Sequence, residues 1–182
     1  MNNNRPLVFV VHKHDATTLH FDFRLQIGDV MPSWAIPKGP TLDPAIKRLA
    51  IQTTDHSLEY RNFEGVLPEG SYGAGPVMIW DEGYYFPEVE IAKGIRKTVE
   101  DTNEGTKIML EGLKKGEVKF KLFGKRLKGS FTLVRIKNFK KPNTWLLIKH
   151  NDEYVVKNFD AHDQKFDKSV VSGRTMEEIR SS

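Results

Sequence analysis

Four residues that can do chemistry, His14, His20, Asp22 and Arg24, fall within the stretch HKHDATTLHFDFRLQ. The end of this stretch alternates, with His20, Asp22 and Arg24 on one side and Leu19, Phe21, Phe23 and Leu25 on the other. That is the period of a β-strand with one apolar face and one face of functional groups. Two imidazoles and a carboxylate suit a divalent transition metal, and a guanidinium beside them suits a phosphate, which it can grip through two parallel hydrogen bonds. Together they point to an enzyme acting on phosphate esters.

Other residues are candidates for the same pocket. His14 precedes the strand in the tight segment KHDATT and can fold back onto its polar face. Asp55-His56 ends a later strand, where a histidine beside a carboxylate can donate a proton or contact an oxyanion. Tyr60, four residues on, either reaches this pocket or simply packs. Arg24 either clamps an anion or forms a salt bridge with Asp22. Lys38 and Arg48 flank a proline-rich loop and either border the site or solvate it. His12 is a weaker candidate and reads as solvent-facing, and His150 and His162, without companions, read as surface.

The elements that must position these residues are mostly strands. Leu7–Lys13, Thr18–Gln26, Val30–Pro37, Arg48–Thr54, Pro76–Phe86, Val118–Phe123, Ser130–Lys137 and Thr144–Lys149 read as strands. Gly28-Asp29 reads as a turn, and Pro68–Pro76 as a glycine-rich turn lacking a phosphate-loop lysine. Ser57–Phe63 reads as one short helical turn and Thr106–Lys115 as a short helix. The acidic stretch Glu88–Asp101 has Val89, Ile91, Ile95 and Val99 at loosely helical spacing, and a terminal helix follows Ser172 or Thr175. Trp34, Trp80 and Trp145 lie in apolar contexts and are expected in the core. The predicted class is mainly β, a compact β-barrel-like core with a few short helices.

The chain has 182 residues, enough for one full hydrophobic core. No apolar run approaches the roughly 20 residues of a membrane helix, and MNNNRPLVFVVHKH lacks the apolar region and cleavage site of a signal peptide. There is no cysteine, so any metal must be held by imidazole and carboxylate, and a cytoplasmic location is expected. The net charge of +4 is unevenly spread. Leu113 to Lys141 carries eleven Lys/Arg against one acid, Glu117, whereas Asp81 to Glu104 carries seven acids against three bases. A basic lobe of this kind points to a polyanion such as nucleic acid, and the hairpin around Lys125–Lys128 is a candidate track for DNA.

The stretches FVVHKHDATTLHFDFRLQ, SWAIPKGPTLDP, KRLAIQTTDHSLEY, FEGVLPEGSYGAGPVMIWD, GKRLKGSFTLVRIK and WLLIKHND resemble, in order, the phosphoesterase domain of bacterial DNA ligase D and its stand-alone relatives. The resemblance implies a barrel-like, manganese-dependent (Mn2+) enzyme that heals DNA 3′ ends. Such an enzyme removes a terminal 3′ ribonucleoside from a primer-template as a phosphodiesterase. It then removes the remaining 3′-phosphate as a phosphomonoesterase, leaving a 3′-OH for ligation. The family's metal ligands fall on His14, His20 and Asp22, its phosphate-contacting and catalytic residues on Arg24, Arg48 and His56, and Tyr60 also matches.

The resemblance further implies a phosphoesterase domain over 1–160 and a polar tail, 161–182, similar to the linker toward a ligase domain. Expected partners are DNA 3′ ends and separate ligase, polymerase/primase or Ku proteins, with no membrane. Two departures bear on substrate preference: Ser57 replaces the usual proline after Asp55-His56, and Thr54 replaces a frequent acid. Residues 87–105 read as an acidic insertion. Two rival readings are a non-catalytic DNA-end-binding module and an iron-dependent oxygenase using His20 and Asp22, with His150 as the distal ligand.

Overall fold

Alternating side chains and tight turns give the chain ten strands, which the computed structural model describes over residues 5–182. Residues 1–4, the start of the stretch read for a leader and of the 1–160 domain, lie outside the described residues. The strands β1 (Leu7–Asp15), β2 (Leu19–Leu25), β3 (Val30–Ile36) and β4 (Arg48–Ser57) form an antiparallel meander. After β5 (Gly65–Leu67) comes the long β6 (Gly75–Ala92), then β7 (Ile95–Thr98) and the helix α1 (Thr102–Lys115). The strands β8 (Glu117–Gly124), β9 (Lys128–Arg135) and β10 (Thr144–Lys149) follow, and α2 (Met176–Arg180) comes last.

The strands β1-β2-β3-β4-β10-β9-β8-β6 pair in that order, and β6 returns to β1, closing an eight-stranded antiparallel barrel. Closure pairs each of the eight barrel strands on both sides, with the short β5 added along β6, and the interior is filled by side chains. On β6, Val77–Tyr85 pair with β1 and Gly83–Pro87 with β8, so Gly83–Tyr85 are bonded on both sides, and the strand then runs on to pair with β7. Gly83 permits the close approach of β8: a Cβ there would lie 2.1 Å from the Phe123 carbonyl oxygen. The core contains Phe9, Val11, Phe21, Phe23, Leu25, Phe120 and Phe131, together with the three tryptophans expected there. No helix among the described residues is long and apolar enough to cross a membrane.

Two local expectations change. The acidic stretch after Pro87 forms a hairpin of β6 with β7 rather than a helix. Gly94 adopts φ +74° and donates its N–H to the Glu90 carboxylate, which fixes the turn, so Ile91 and Ile95 flank a turn and do not share a helical face. The hairpin's charge is answered locally by Arg96 on Glu88 and Lys119 on Glu90. The helix α1 starts earlier than expected because the Asp101 side chain caps the Glu104 N–H, and it ends at left-handed Gly116. Residues 161–182 lie against the barrel, with Ala161 and Ile179 fully buried and Arg180 paired with Asp15.

Candidate metal and phosphate site

The outward face of the β1–β2 pair carries the functional groups. Register sets His14 opposite His20 and His12 opposite Asp22, and directly opposed residues on antiparallel strands share a face. Val10, Met31 and Ile79 form a small apolar patch on this outer face, against which Leu58 packs. That contact seats the 3-10 turn Leu58–Asn62 at the end of β4, and the loop through Gly73 continues over the site. The covered face borders an open cleft of about 1220 Å³, lined by His14, His20, Asp22, Arg24, His56 and Tyr60 among others.

One ligand atom from each of His14, His20 and Asp22 lies within 4.8 Å of the other two. The His14 Nε2–H donates to the Gly73 carbonyl at 2.6 Å, and the His20 Nδ1–H donates to the Thr18 carbonyl at 2.9 Å. A carbonyl only accepts, so these bonds fix the ring protons on the outer nitrogens. His14 Nδ1 and His20 Nε2 then face the Asp22 carboxylate at 3.6 and 3.1 Å. Donors of this kind, each steadied from behind by a hydrogen bond, fit a divalent transition metal. Burial pushes the Asp22 pKa up, but when the inner nitrogens of His14 and His20 are also protonated their hydrogen bonds to Asp22, with the Arg24 charge, outweigh it, and the carboxyl lies below its usual range. The Asp22 hydrogen bond raises His20.

Arg24 is 3% exposed, and its guanidinium is held on several sides. Its Nε donates to His12 Nδ1 at 3.1 Å and its Nη1 to the Ser33 hydroxyl at 3.0 Å. Nη2 lies 3.5 Å from Asp22, and the Tyr60 ring lies under Cζ at 5.0 Å. His12 is thus not solvent-facing but fully buried, because residues from Tyr60 to Phe63, far along the chain, close over it. Its Nε2–H donates to the Phe63 carbonyl. Burial, with the Arg24 charge, pushes its pKa down to about 3 and keeps it neutral.

His56 Nδ1 lies 3.1 Å from Arg24 Nη1 and 3.0 Å from the Thr54 carbonyl. When it accepts from Arg24, the ring proton sits on Nε2. Burial and the Arg24 charge lower the His56 pKa. Tyr60 stacks on Phe63 and leans on His56, and burial raises its phenol pKa.

Arg48 is not in this constellation. It opens β4 opposite Leu147, eight residues from His56, and does not line the cleft. Its Nε is buried without a hydrogen-bond partner. Lys38 is exposed, next to the cleft-lining Pro37. His150 is half-buried and His162 exposed, and neither joins the ligand group. Sequence reasoning missed Ser33 and the Gly73 carbonyl. Ser33 sits on the strand neighbouring Arg24, but a lone serine gives no signal, and a backbone acceptor gives none at all.

Fold and site together define a class: a closed antiparallel β-barrel whose outer face carries a His-His-Asp donor set beside a buried, oriented arginine. The sequence matches the family described as the DNA ligase D 3′-phosphoesterase domain over residues 12–135, and the chain belongs to that family. It is 42% identical over 172 residues to the multifunctional non-homologous end joining protein LigD of Pseudomonas aeruginosa, covering 93% of this chain and 18% of that protein. The corresponding proteins of Mycobacterium tuberculosis and Mycolicibacterium smegmatis are 37% and 33% identical over 154 and 152 residues. Those matches cover 84% of this chain and 17% and 18% of the relatives. The chain thus spans under a fifth of the length of these relatives.

Proposed function

We propose that the protein is a metal-dependent phosphoesterase that heals DNA 3′ ends. It removes a 3′-terminal ribonucleoside and then the 3′-phosphate, leaving a 3′-OH for ligation. The observation that carries this reading is the pair of outward ring hydrogen bonds, to Gly73 and Thr18, which turns the free nitrogens of His14 and His20 toward Asp22 beside Arg24. Family membership supports the substrate class.

His14, His20 and Asp22 would hold the metal, manganese by family resemblance. When bound, it would supply Lewis-acid polarisation of a phosphate oxygen. Arg24, already desolvated and oriented, neutralises charge that grows on the phosphoryl oxygens without reorganising at the moment of reaction. His56 donates its Nε2 proton or a hydrogen bond to phosphate, and Tyr60 steadies both His56 and Arg24. In the first step water replaces the 5′ oxygen of the terminal ribonucleoside on phosphorus. In the second, water replaces the 3′ oxygen of the primer and inorganic phosphate leaves. Arg48, apart from the cleft, has no step in this scheme. DNA 3′ ends are the partner, ligase, polymerase/primase or Ku chains act on the healed product, and the compartment is the cytoplasm.

The test is a primer-template ending in one 3′ ribonucleotide, incubated with manganese. The expected products are a 3′-phosphate end followed by a 3′-OH end, abolished by a chelator and slowed at least about 100-fold by His20→Ala. Trimming by His20→Ala at the wild-type rate would sink the metal assignment. DNA binding that survives chelation, with no product from the wild type, would leave a non-catalytic end-binding module instead.

A further inference from the structure

The basic lobe of the sequence separates into two groups with different surroundings. At the β8–β9 turn, the Asp81 carboxylate accepts the N–H groups of Lys125, Arg126 and Leu127. Arg126 is spent on the carbonyls of Trp80 and Lys168 and lies over the Trp80 ring, and Lys125 bonds the Val170 carbonyl. None of these residues lines the cleft of the His-His-Asp site. At this hairpin Arg126 and Leu127 are thus turned onto the protein, while Lys125 and Lys128 are exposed but away from the cleft.

The loop between β9 and β10, residues 136–143, differs. Lys137, Lys140 and Lys141 are all exposed, the loop contains no acid, and Phe139 among them is 50% exposed. Asn138 and Asn143 take left-handed φ angles of 61° and 62°, bending the loop near both ends. Asn143 lines the same cleft as the metal-type triad, and its carbonyl accepts the Gln52 N–H at 2.8 Å. The sheet connects the two places directly. Asp22 pairs with Ala35, Ala35 with Ile51, and Ile51 with Thr144. Three interstrand spacings along the sheet put Thr144, where the loop ends, about 14 Å from Asp22, a reach of a few nucleotides.

We propose that the 136–143 loop is the track for the strand leading to the reacting 3′ end, which rests on the 3′-phosphoesterase reading above. Lys137, Lys140 and Lys141 meet successive backbone phosphates, and Phe139 offers a face on which a base stacks. Cations from a loop that itself contains no acid, interleaved with one exposed aromatic ring, suit a charged backbone carrying π faces.

The test measures binding of a fluorescent primer-template by anisotropy, alongside turnover, with the full chain. The triple variant Lys137→Ser/Lys140→Ser/Lys141→Ser is expected to weaken binding about 10-fold or more at low salt and to flatten the log Kd against log salt slope by about 2 to 3. In turnover the loss falls on KM and grows with the length of the primer strand. Phe139→Ala is expected to weaken binding about 5-fold. A control of equal charge on α1, Lys107→Ser/Lys114→Ser/Lys115→Ser, is expected to bind within about twofold of wild type, since only cations that neutralise phosphates release counterions. Equal losses in both triple variants, or no loss in the loop variant, would overturn the track. If the wild type binds DNA but processes no 3′ end, the catalytic reading falls, while the binding series still decides the track.

Discussion

Along β2, Phe21, Phe23 and Leu25 point into the barrel while His20, Asp22 and Arg24 point out of it, and most of both sets are withdrawn from water. The inner residues are dry because the barrel closes on itself, and they interact through shape. The outer residues are dry because the segment following β4 folds over them. Polar groups buried in that way must satisfy one another, and they do: Arg24 meets His12, Ser33 and Asp22, and each triad histidine meets a carbonyl. The inner face depends on volume and the outer face on the placement of donors and acceptors.

Substitutions that act on one face only sharpen this contrast. The largest effect is expected from Phe23→Ala, which should lower stability by about 3–5 kcal/mol, read by urea denaturation, with turnover per folded molecule unchanged. A proportionate loss of turnover would mean that the two faces are not independent. Next comes Arg24→Lys, which leaves the inner face intact. An ammonium cannot make the fork of contacts to His12 and Ser33 while meeting a phosphate, so kcat per folded molecule should fall about 10² to 10³-fold, and stability should fall by about 1–3 kcal/mol as buried acceptors lose a donor. A fall below 10-fold would break the case for an oriented guanidinium.

The smallest effect concerns pH. His12 binds its proton less well folded, at a pKa of about 3 against 6.5. Its contribution to stability is fully present above pH 6.5 and declines as pH falls toward 3, by at most about 1.4 kcal/mol per unit. Glutamine can accept from Arg24 and donate to Phe63 as the neutral ring does, but it does not titrate. His12→Gln should therefore show a shallower loss of stability than wild type between pH 6.5 and 5 in urea titrations. Identical slopes would mean that His12 is not buried as a neutral ring.

The β1–β2 pair was legible because strict alternation is local, and it grouped His20, Asp22 and Arg24 on one face. The tryptophan core followed from the same patterning. What was not legible depended on distant segments. Nothing near His12 indicates that Tyr60 and Phe63 will cover it, and nothing near Arg126 that Trp80 and Lys168 will engage it. The β6–β7 hairpin reads as helical in the sequence because Ile91 and Ile95 are four apart, a spacing that a short turn between strands also produces. Arg48 followed family resemblance, which matches position in the sequence but does not say which end of a ten-residue strand reaches the cleft.

The three indoles have an optical consequence. Trp34, Trp80 and Trp145 are fully buried in the barrel core, and their N–H groups have no hydrogen-bond partner. An indole in such surroundings emits at the blue end of its range and shifts to the red when water reaches it. Since all three belong to the interior and none lines the cleft, tryptophan emission excited beyond the tyrosine band reads the core and not the site, whose lining includes Tyr60 and Tyr72. A ligand at the outer face needs a separate probe.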